Sequence, residues 1–209
     1  MTEKRWISVV AEGEASVAPD MALVSFAVSG DGKDLGPPRD DVNRRSSAVL
    51  AKLRALGIAE ADINAPDVGI HPQYDYRKGQ RLTGYRVVRQ MAVKVRDLDG
   101  LGGVIDGVVA AGANEVQGAQ MTASDPSTAE HEALRAAITA ARAKAEALAE
   151  AAGVALGTVE RIEEDPDRRG APMGQIRMMA ISESADASTE VAAGDLTVTR
   201  HIRAWFAIS

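Results

Sequence analysis

Residues 126–153 read as one long alanine-rich helix, and no other stretch limits the fold as tightly. Leu134, Ile138, Ala141, Ala145, Leu148 and Ala152 recur at spacings of three and four, which lines them along one face. Alanine loses no side-chain entropy in a helix, and small side chains on the seam let another backbone come close. Both ends carry boundary signals. Asp125 suits a cap on the first free amides, Pro126 the first helical position, and Gly153 the left-handed residue that ends a helix. That face is the packing seam around which the other elements are arranged.

Those other elements are mostly strands. Residues 6–16 and 20–29 are predicted to pair as a hairpin about Ala18-Pro19-Asp20, with Val24, Phe26 and Val28 on one face and Ser25 and Ser29 on the other. Beyond Pro37 and Pro38, the spacing of Val42, Val49, Leu53 and Leu56 gives a helix closed by Gly57, expected on the hairpin's dry face. From Asp62 the chain is extended again, and residues 77–81 turn it into a second long strand ending at Arg96. The product is a tyrosine-bearing hairpin. A helix with Leu101, Val104, Ile105, Val108 and Val109 on its apolar side follows, and its five glycines between 100 and 112 leave packing to hold it. Residues 114–124 and 156–164 read as strands on either side of the long helix. The period is lost over 165–195, read as a mobile loop with one short strand near 176–181 and a surface for a protein partner. It returns in a terminal strand, where Leu196, Val198, Ile202, Ala204, Phe206 and Ile208 alternate with polar residues. Helices interleaved with antiparallel hairpins indicate an α+β fold in a single domain over 1–209, arranged as two similar layers of strands and covering helices.

A chain of 209 residues buries roughly 70 % of its unfolded surface, enough for a core without staples. The net charge of −6 offers no general attraction to nucleic acid or to an anionic membrane. With no cysteine, thiol catalysis, disulfides and cysteine-based zinc sites are excluded. No stretch approaches the roughly 20 apolar residues of a membrane span. The first residues lack the apolar run of a secretory signal, so the chain as it stands is expected in the cytoplasm, or periplasmic or secreted if a signal has been removed.

Catalytic motifs fail one by one. Gly100-Leu101-Gly102-Gly103 has Ile105 where a dinucleotide fingerprint needs its third glycine. His131-Glu132-Ala133-Leu134-Arg135 departs from a zinc-protease helix at Arg135, and His71, His131 and His201 are scattered through three elements. No serine sits in a Gly-x-Ser-x-Gly elbow. No cofactor and no catalytic residue is predicted. Two arginines stand out because they interrupt apolar faces: Arg89 between Val87 and Met91, and Arg200 between Val198 and Ile202. A charge there must be paired or must reach a subunit boundary. Tyr74, Tyr76 and Tyr85, on a hairpin that outruns its sheet, fit a protein contact, since aromatics are enriched at interfaces.

Taken together, these landmarks resemble the SIMPL-domain family, which includes YggE-like oxidative-stress proteins and a bacterial periplasmic immunogenic protein. The resemblance rests on residues 11–20 at the first turn, Leu56-Gly57-Ile58 with Asp62-Ile63, Thr83-Gly84-Tyr85-Arg86-Val87, residues 95–99, Gly112-Ala113-Asn114 and residues 143–149. It implies an α+β fold, large ring- or barrel-like homo-oligomers and a link to envelope or oxidative stress, and it implies no catalytic residues. The expectation is a non-enzymatic, self-assembling protein whose long strands and tyrosine hairpin make the subunit contacts. The alternative is a binding module for a small anionic or apolar ligand at a subunit boundary, held by Arg89 or Arg200.

Overall fold

The computed structural model describes residues 5–77, 79–164 and 194–209. In chain order the elements are β1 (Trp6–Val17), β2 (Met21–Gly32), α1 (Gly36–Ala55), a short 3-10 turn (Glu60–Asp62), β3 (Ile63–Asn64), β4 (Gly69–Asp75), β5 (Arg81–Val95), α2 (Leu101–Ala111), β6 (Glu115–Thr122), α3 (Ser127–Ala152), β7 (Leu156–Glu164) and β8 (Leu196–Ile208). The α+β class read from the sequence holds. These elements fall into two compact units.

One unit holds β1, β7, β8 and α3. Its sheet has the order β1-β8-β7, with both pairs antiparallel, so the terminal strand is the central one. Strand β1 pairs with β8 along its whole length, from Trp6↔Ala207 to Val17↔Leu196. This corrects the predicted hairpin of the first two strands, because β2 pairs with β5 in another sheet. A two-residue hairpin needs positive φ in its loop. Ala18-Pro19-Asp20 contains no glycine, and among the described residues positive φ is confined to glycine. The chain therefore leaves β1 without turning back on it.

Helix α3 covers the face of this sheet that carries Val9, Ala11, Ile202, Ala204 and Phe206. Its seam differs from the one read by hydrophobicity. Ala129, Ala133, Ala137, Ala141, Ala145 and Ala149 are buried, whereas Leu134 only flanks the core and Ile138, Leu148 and Ala152 are exposed. A strict four-residue repeat advances about 40° per step on a helix of 3.6 residues per turn. The contact line thus crosses the helix obliquely along its i, i+4 ridge, matching a twisted sheet. The cause of the shift is Gly13, where a Cβ would lie 2.2 Å from both the Ala133 carbonyl oxygen and the Ala137 nitrogen. Strand and helix backbones touch there, so only alanine fits the seam and the larger side chains are displaced to its flanks. The C-terminal end follows the expected signal, while at the start Pro126 is the N-cap and Ser127, not Pro126, the first helical residue. The Ser127 amide donates to Asp125 Oδ1 at 3.0 Å, and Gly153 takes φ +67° while Val154 N donates back to Ala149 O.

The other unit holds a five-stranded sheet of order β3-β5-β2-β6, with β4 also paired to β5. Helix α1 starts on Pro37 and Pro38, whose missing amide hydrogens are not needed in a first turn, and packs on β2 and β5 rather than on a β1–β2 hairpin. Val42, Val49 and Leu53 meet Val24, Phe26 and Val28 in a core whose members are at most 1 % exposed. Helix α2 lies against α1, and a Cβ on Gly107 would come within 3.0 Å of Leu56 and Lys52. That close approach accounts for the glycine at 107, whereas Gly103 meets nothing within 4 Å. The expected loop with a short strand, and its surface for a protein partner, fall almost wholly outside the described residues.

Candidate functional site

Three clusters of side chains are candidates. The first is a polar network in the five-stranded unit. Ser29, a small polar residue near the end of β2, is buried. Its hydroxyl donates to Glu115 Oε1 at 2.6 Å, and its amide donates to Asn114 Oδ1 at 2.8 Å. The Asn114 side-chain amide donates back to the Ser29 carbonyl at 3.1 Å. Arg45 on α1 donates to the carbonyls of Ser29 and Gly112 and to Asp41. Arg86 on β5 pairs with Glu115 and, at 3.4 Å, with Asp31, whose other oxygen accepts from Gln73. The Ser29 hydrogen bond, then Arg86, holds the Glu115 carboxyl below its ordinary range against the opposing effect of burial. Glu115 is therefore an ionised acceptor and a weak base, and the network works as a latch joining β2, β5, β6 and α1. Beside it, a cavity of about 360 Å³ is lined by Asp31, Lys33, Asp34 and Asp41, with Asp31 held by Arg86 and Asp41 by Arg44 and Arg45. Among the described residues no three His, Cys, Asp or Glu converge as metal ligands.

The second cluster is the tip of the β4–β5 hairpin. Strand β2 ends opposite Tyr85, whereas β4 and β5 continue together to Asp75↔Arg81, so the last part is a two-stranded ribbon outside the sheet. The turn forms as the sequence predicts, with Gly79 at φ +97°. Tyr74 near the end of β4 and Tyr76 just beyond it have their ring centroids 6.2 Å apart and are 40 % and 71 % exposed, with Leu82 exposed opposite Tyr74. Tyr85 is separate from this pair: it sits half-buried opposite Gly32 and Pro72. Pro72 lies on the outermost strand, where its missing N–H withholds a donor from strand addition.

The third cluster is the face of the three-stranded sheet opposite α3. Successive strand residues alternate faces, so where Val9, Ala11 and Ile202 meet α3, the residues Trp6, Ser8, Val10, Arg203 and Trp205 lie on the opposite side. Trp6 is 56 % exposed. Arg161 of β7 stacks over Trp205 with its guanidinium carbon 4.9 Å from the ring centroid and pairs with Glu163. Trp6, Trp205, Arg5, Glu160, Arg161 and Ala207 line a shallow apolar groove of about 250 Å³. On β1, an edge strand among the described residues, Lys144 Nζ donates to the Val10 carbonyl at 3.0 Å, which takes one edge acceptor.

The two singled-out arginines lie in different units. Arg89 donates to the carbonyls of Ala65 and Pro66 at 3.1 and 3.0 Å and holds that loop against β5. Arg200, 7 % exposed, sits opposite Gly13, pairs with Glu130 on α3 and lies 3.7 Å from Glu164. Both guanidinium groups are thus engaged by acceptors of their own chain.

A sequence profile of the SIMPL family, described as a protein of unknown function (DUF541), matches residues 7–206. The chain belongs to the SIMPL family. It is 34 % identical over 182 residues to the uncharacterized protein YggE of Edwardsiella ictaluri, covering 85 % of this chain and 76 % of that protein. It is 32 % identical over 204 residues to the 26 kDa periplasmic immunogenic protein of Brucella melitensis, covering 93 % of this chain and 81 % of the relative. With YggE of Escherichia coli K12 it shares 33 % identity over 133 residues, or 62 % of this chain and 54 % of that one. SIMPL membership carries no assigned chemistry, and the family's molecular function is not established. Within this SIMPL chain, sequence reading finds the tyrosine ribbon but misses the tryptophan groove and the Ser29 network. One signal for the groove is present: Trp6 and Trp205 stand on the wet parity of otherwise alternating strands. The network has no comparable signal, because its members come from positions 29 to 115 and meet only through the sheet.

Proposed function

We propose that this SIMPL protein acts without catalysis, by assembling with copies of itself into a larger scaffold. The observation that carries the reading is the β4–β5 ribbon, which leaves its sheet and exposes Tyr74, Tyr76 and Leu82 with no layer behind them among the described residues. A two-stranded ribbon alone in water is marginal, and aromatic side chains lose little entropy when a partner covers them. The polar network supports the non-catalytic part. Its serine donates to a carboxylate already stabilised as the anion by Arg86, an arrangement that weakens the base a nucleophile would need.

An envelope location suits the scaffold, since the Brucella relatives are named periplasmic and a cysteine-free chain is indifferent to an oxidising compartment. A role in envelope or oxidative stress would follow from that placement. Fractionation of cells expressing the native gene tests the location. Light scattering across a dilution series tests the assembly. The expected result is a discrete mass well above the 21.9 kDa of one chain, falling toward it when Tyr74 and Tyr76 are both replaced by Ser. A monomer at micromolar concentration refutes the reading.

A further inference from the structure

The β4–β5 ribbon leaves its sheet at a point where bending is easy. Strand β2, the neighbour of β5 on its other side, ends at Gly32 opposite Tyr85, so only two strands continue. The pairing also slips there: Gln73 lies opposite Gly84 and Tyr74 opposite Leu82, which leaves Thr83 as an extra residue in β5. A bulge of this kind bends the strand that carries it. Beside it, a Cβ on Gly84 would come 2.6 Å from the Gly32 carbonyl oxygen, so only glycine lets the two backbones meet at this root.

A run of polar side chains crosses the sheet at the same level. The Ser29 hydroxyl donates to Glu115 on β6, Glu115 pairs with Arg86 on β5, and Arg86 reaches Asp31 on β2. Asp31 then spans β5. Its Oδ2 accepts from Arg86 Nη1 at 3.4 Å and its Oδ1 from Gln73 Nε2 at 2.9 Å, although β4 pairs with β5 and not with β2. Thr83, the extra residue, donates its hydroxyl to the Gln73 carbonyl at 3.0 Å and closes the bulge onto the same residue. Asp31 and Arg86 are half-exposed, and such a pair contributes little to global stability. It matters more where all it opposes is the bending of a two-stranded ribbon.

We infer that Asp31 is a positioning residue for the ribbon: by bridging Gln73 and Arg86 it holds the β4–β5 arm at one angle to its sheet and presents Tyr74 and Tyr76 in one pose. The consequence for assembly rests on the self-assembly reading, since a contact surface already held in its bound pose loses less freedom when a partner covers it. The clamp itself is a property of the single chain.

Because the chain has no cysteine, spin labels can be placed on introduced ones alone. One label is attached at Arg77→Cys beyond β4 and one at Arg39→Cys on α1, both exposed positions. The labelled chain is diluted into an excess of unlabelled chain, so that pulsed electron resonance reads distances within one copy. With the bridge intact, one narrow distribution is expected. Asp31→Ala is expected to broaden or displace it, and so is Gln73→Leu from the other end of the bridge. Asp34→Ala removes a neighbouring carboxylate outside the bridge and is expected to leave the distribution narrow; broadening there as well would overturn the assignment to Asp31. A narrow, unshifted distribution in either bridge variant refutes the clamp, and Gln73→Leu decides it alone if Asp31→Ala does not fold.

Light scattering reads the consequence. Asp31→Ala is expected to half-dissociate at a concentration about two- to fivefold above that of the unaltered chain, the worth of an exposed ion pair. A broadened distribution with unchanged dissociation overturns the role in assembly. If the unaltered chain is itself monomeric, the self-assembly reading fails, and the distance distribution still decides the clamp.

Discussion

Replacing Gly13 by alanine tests the packing argument most directly. The new methyl would sit 2.2 Å from Ala133 O and Ala137 N and 2.8 Å from Ala136 C. All three are backbone atoms, so no rotamer change relieves the clash. Reaching the 3.4 Å at which ordinary contact begins requires α3 to lift by about 1.2 Å, and a gap of about 1 Å already forfeits up to half of each dispersion contact along the alanine seam. Overpacking typically costs about 1–3 kcal/mol, and a clash against rigid backbone belongs at the upper end, about 3 kcal/mol. Position 13 is not among the positive-φ glycines, so without the clash alanine would instead stabilise by about 0.4–1 kcal/mol through the unfolded state. The sign therefore decides. Urea unfolding followed by tryptophan emission reports this unit, because both indoles lie on its sheet. With a slope near 2 kcal/mol/M the midpoint should fall by about 1.5 M. Gly194→Ala, in the same unit and meeting nothing within 4 Å, is the control and should leave the midpoint unchanged or raised. An unchanged or raised midpoint for Gly13→Ala refutes the claim that the two backbones touch there.

Three further outcomes follow from the same structure. Ser46 is fully buried on α1 with no hydrogen-bond partner for its hydroxyl among the described residues, so Ser46→Ala should stabilise by about 0.5–1 kcal/mol through relief of that desolvation and better helix propensity; calorimetry showing a loss would reveal a hidden partner. Arg200→Met removes the cation paired with Glu130 beside an apolar sheet face; Glu130 is about one-third exposed, so the expected cost is about 1–2 kcal/mol rather than the larger loss of a fully buried pair, and a neutral result in urea melts would remove the ion pair's structural role. Arginine partners hold Asp41, Glu60 and Asp62 below their ordinary range, and Ser29 and Arg86 do so for Glu115, so the stabilisation is complete above the unfolded values of 3.8–4.5 and is lost as pH falls through the lower folded values. Melting temperature should accordingly be level near neutrality and fall steeply below about pH 4, less so in Glu115→Gln; a variant that follows the unaltered chain point for point would contradict the assignment.

Local chemistry made most of the elements legible. Proline at the start of α1, Asp125 before α3, and Gly57, Gly79 and Gly153 at their turns and ends act within a few residues of themselves, so their signals survive in one dimension. Alternation marked β8 and the β4–β5 hairpin for the same reason, and the hairpin's tyrosines were visible with it. Tertiary structure decided what depends on contacts between distant positions. Apolar parity in β1 states which residues face inward but not which strand lies alongside, and its partner is about 190 residues away. Hydrophobicity put Leu134, Ile138 and Leu148 on the α3 seam, but the contact at Gly13 leaves room only for alanine and turns the helix accordingly. The same limit applies to the candidate sites. Arg200 announced a partner without naming Glu130, and Ser29, Arg45, Arg86, Asn114 and Glu115 are ordinary polar residues until the sheet brings them within hydrogen-bond range. Backbone preference is written in each residue and its neighbours, whereas pairing and proximity arise only when distant segments are buried together.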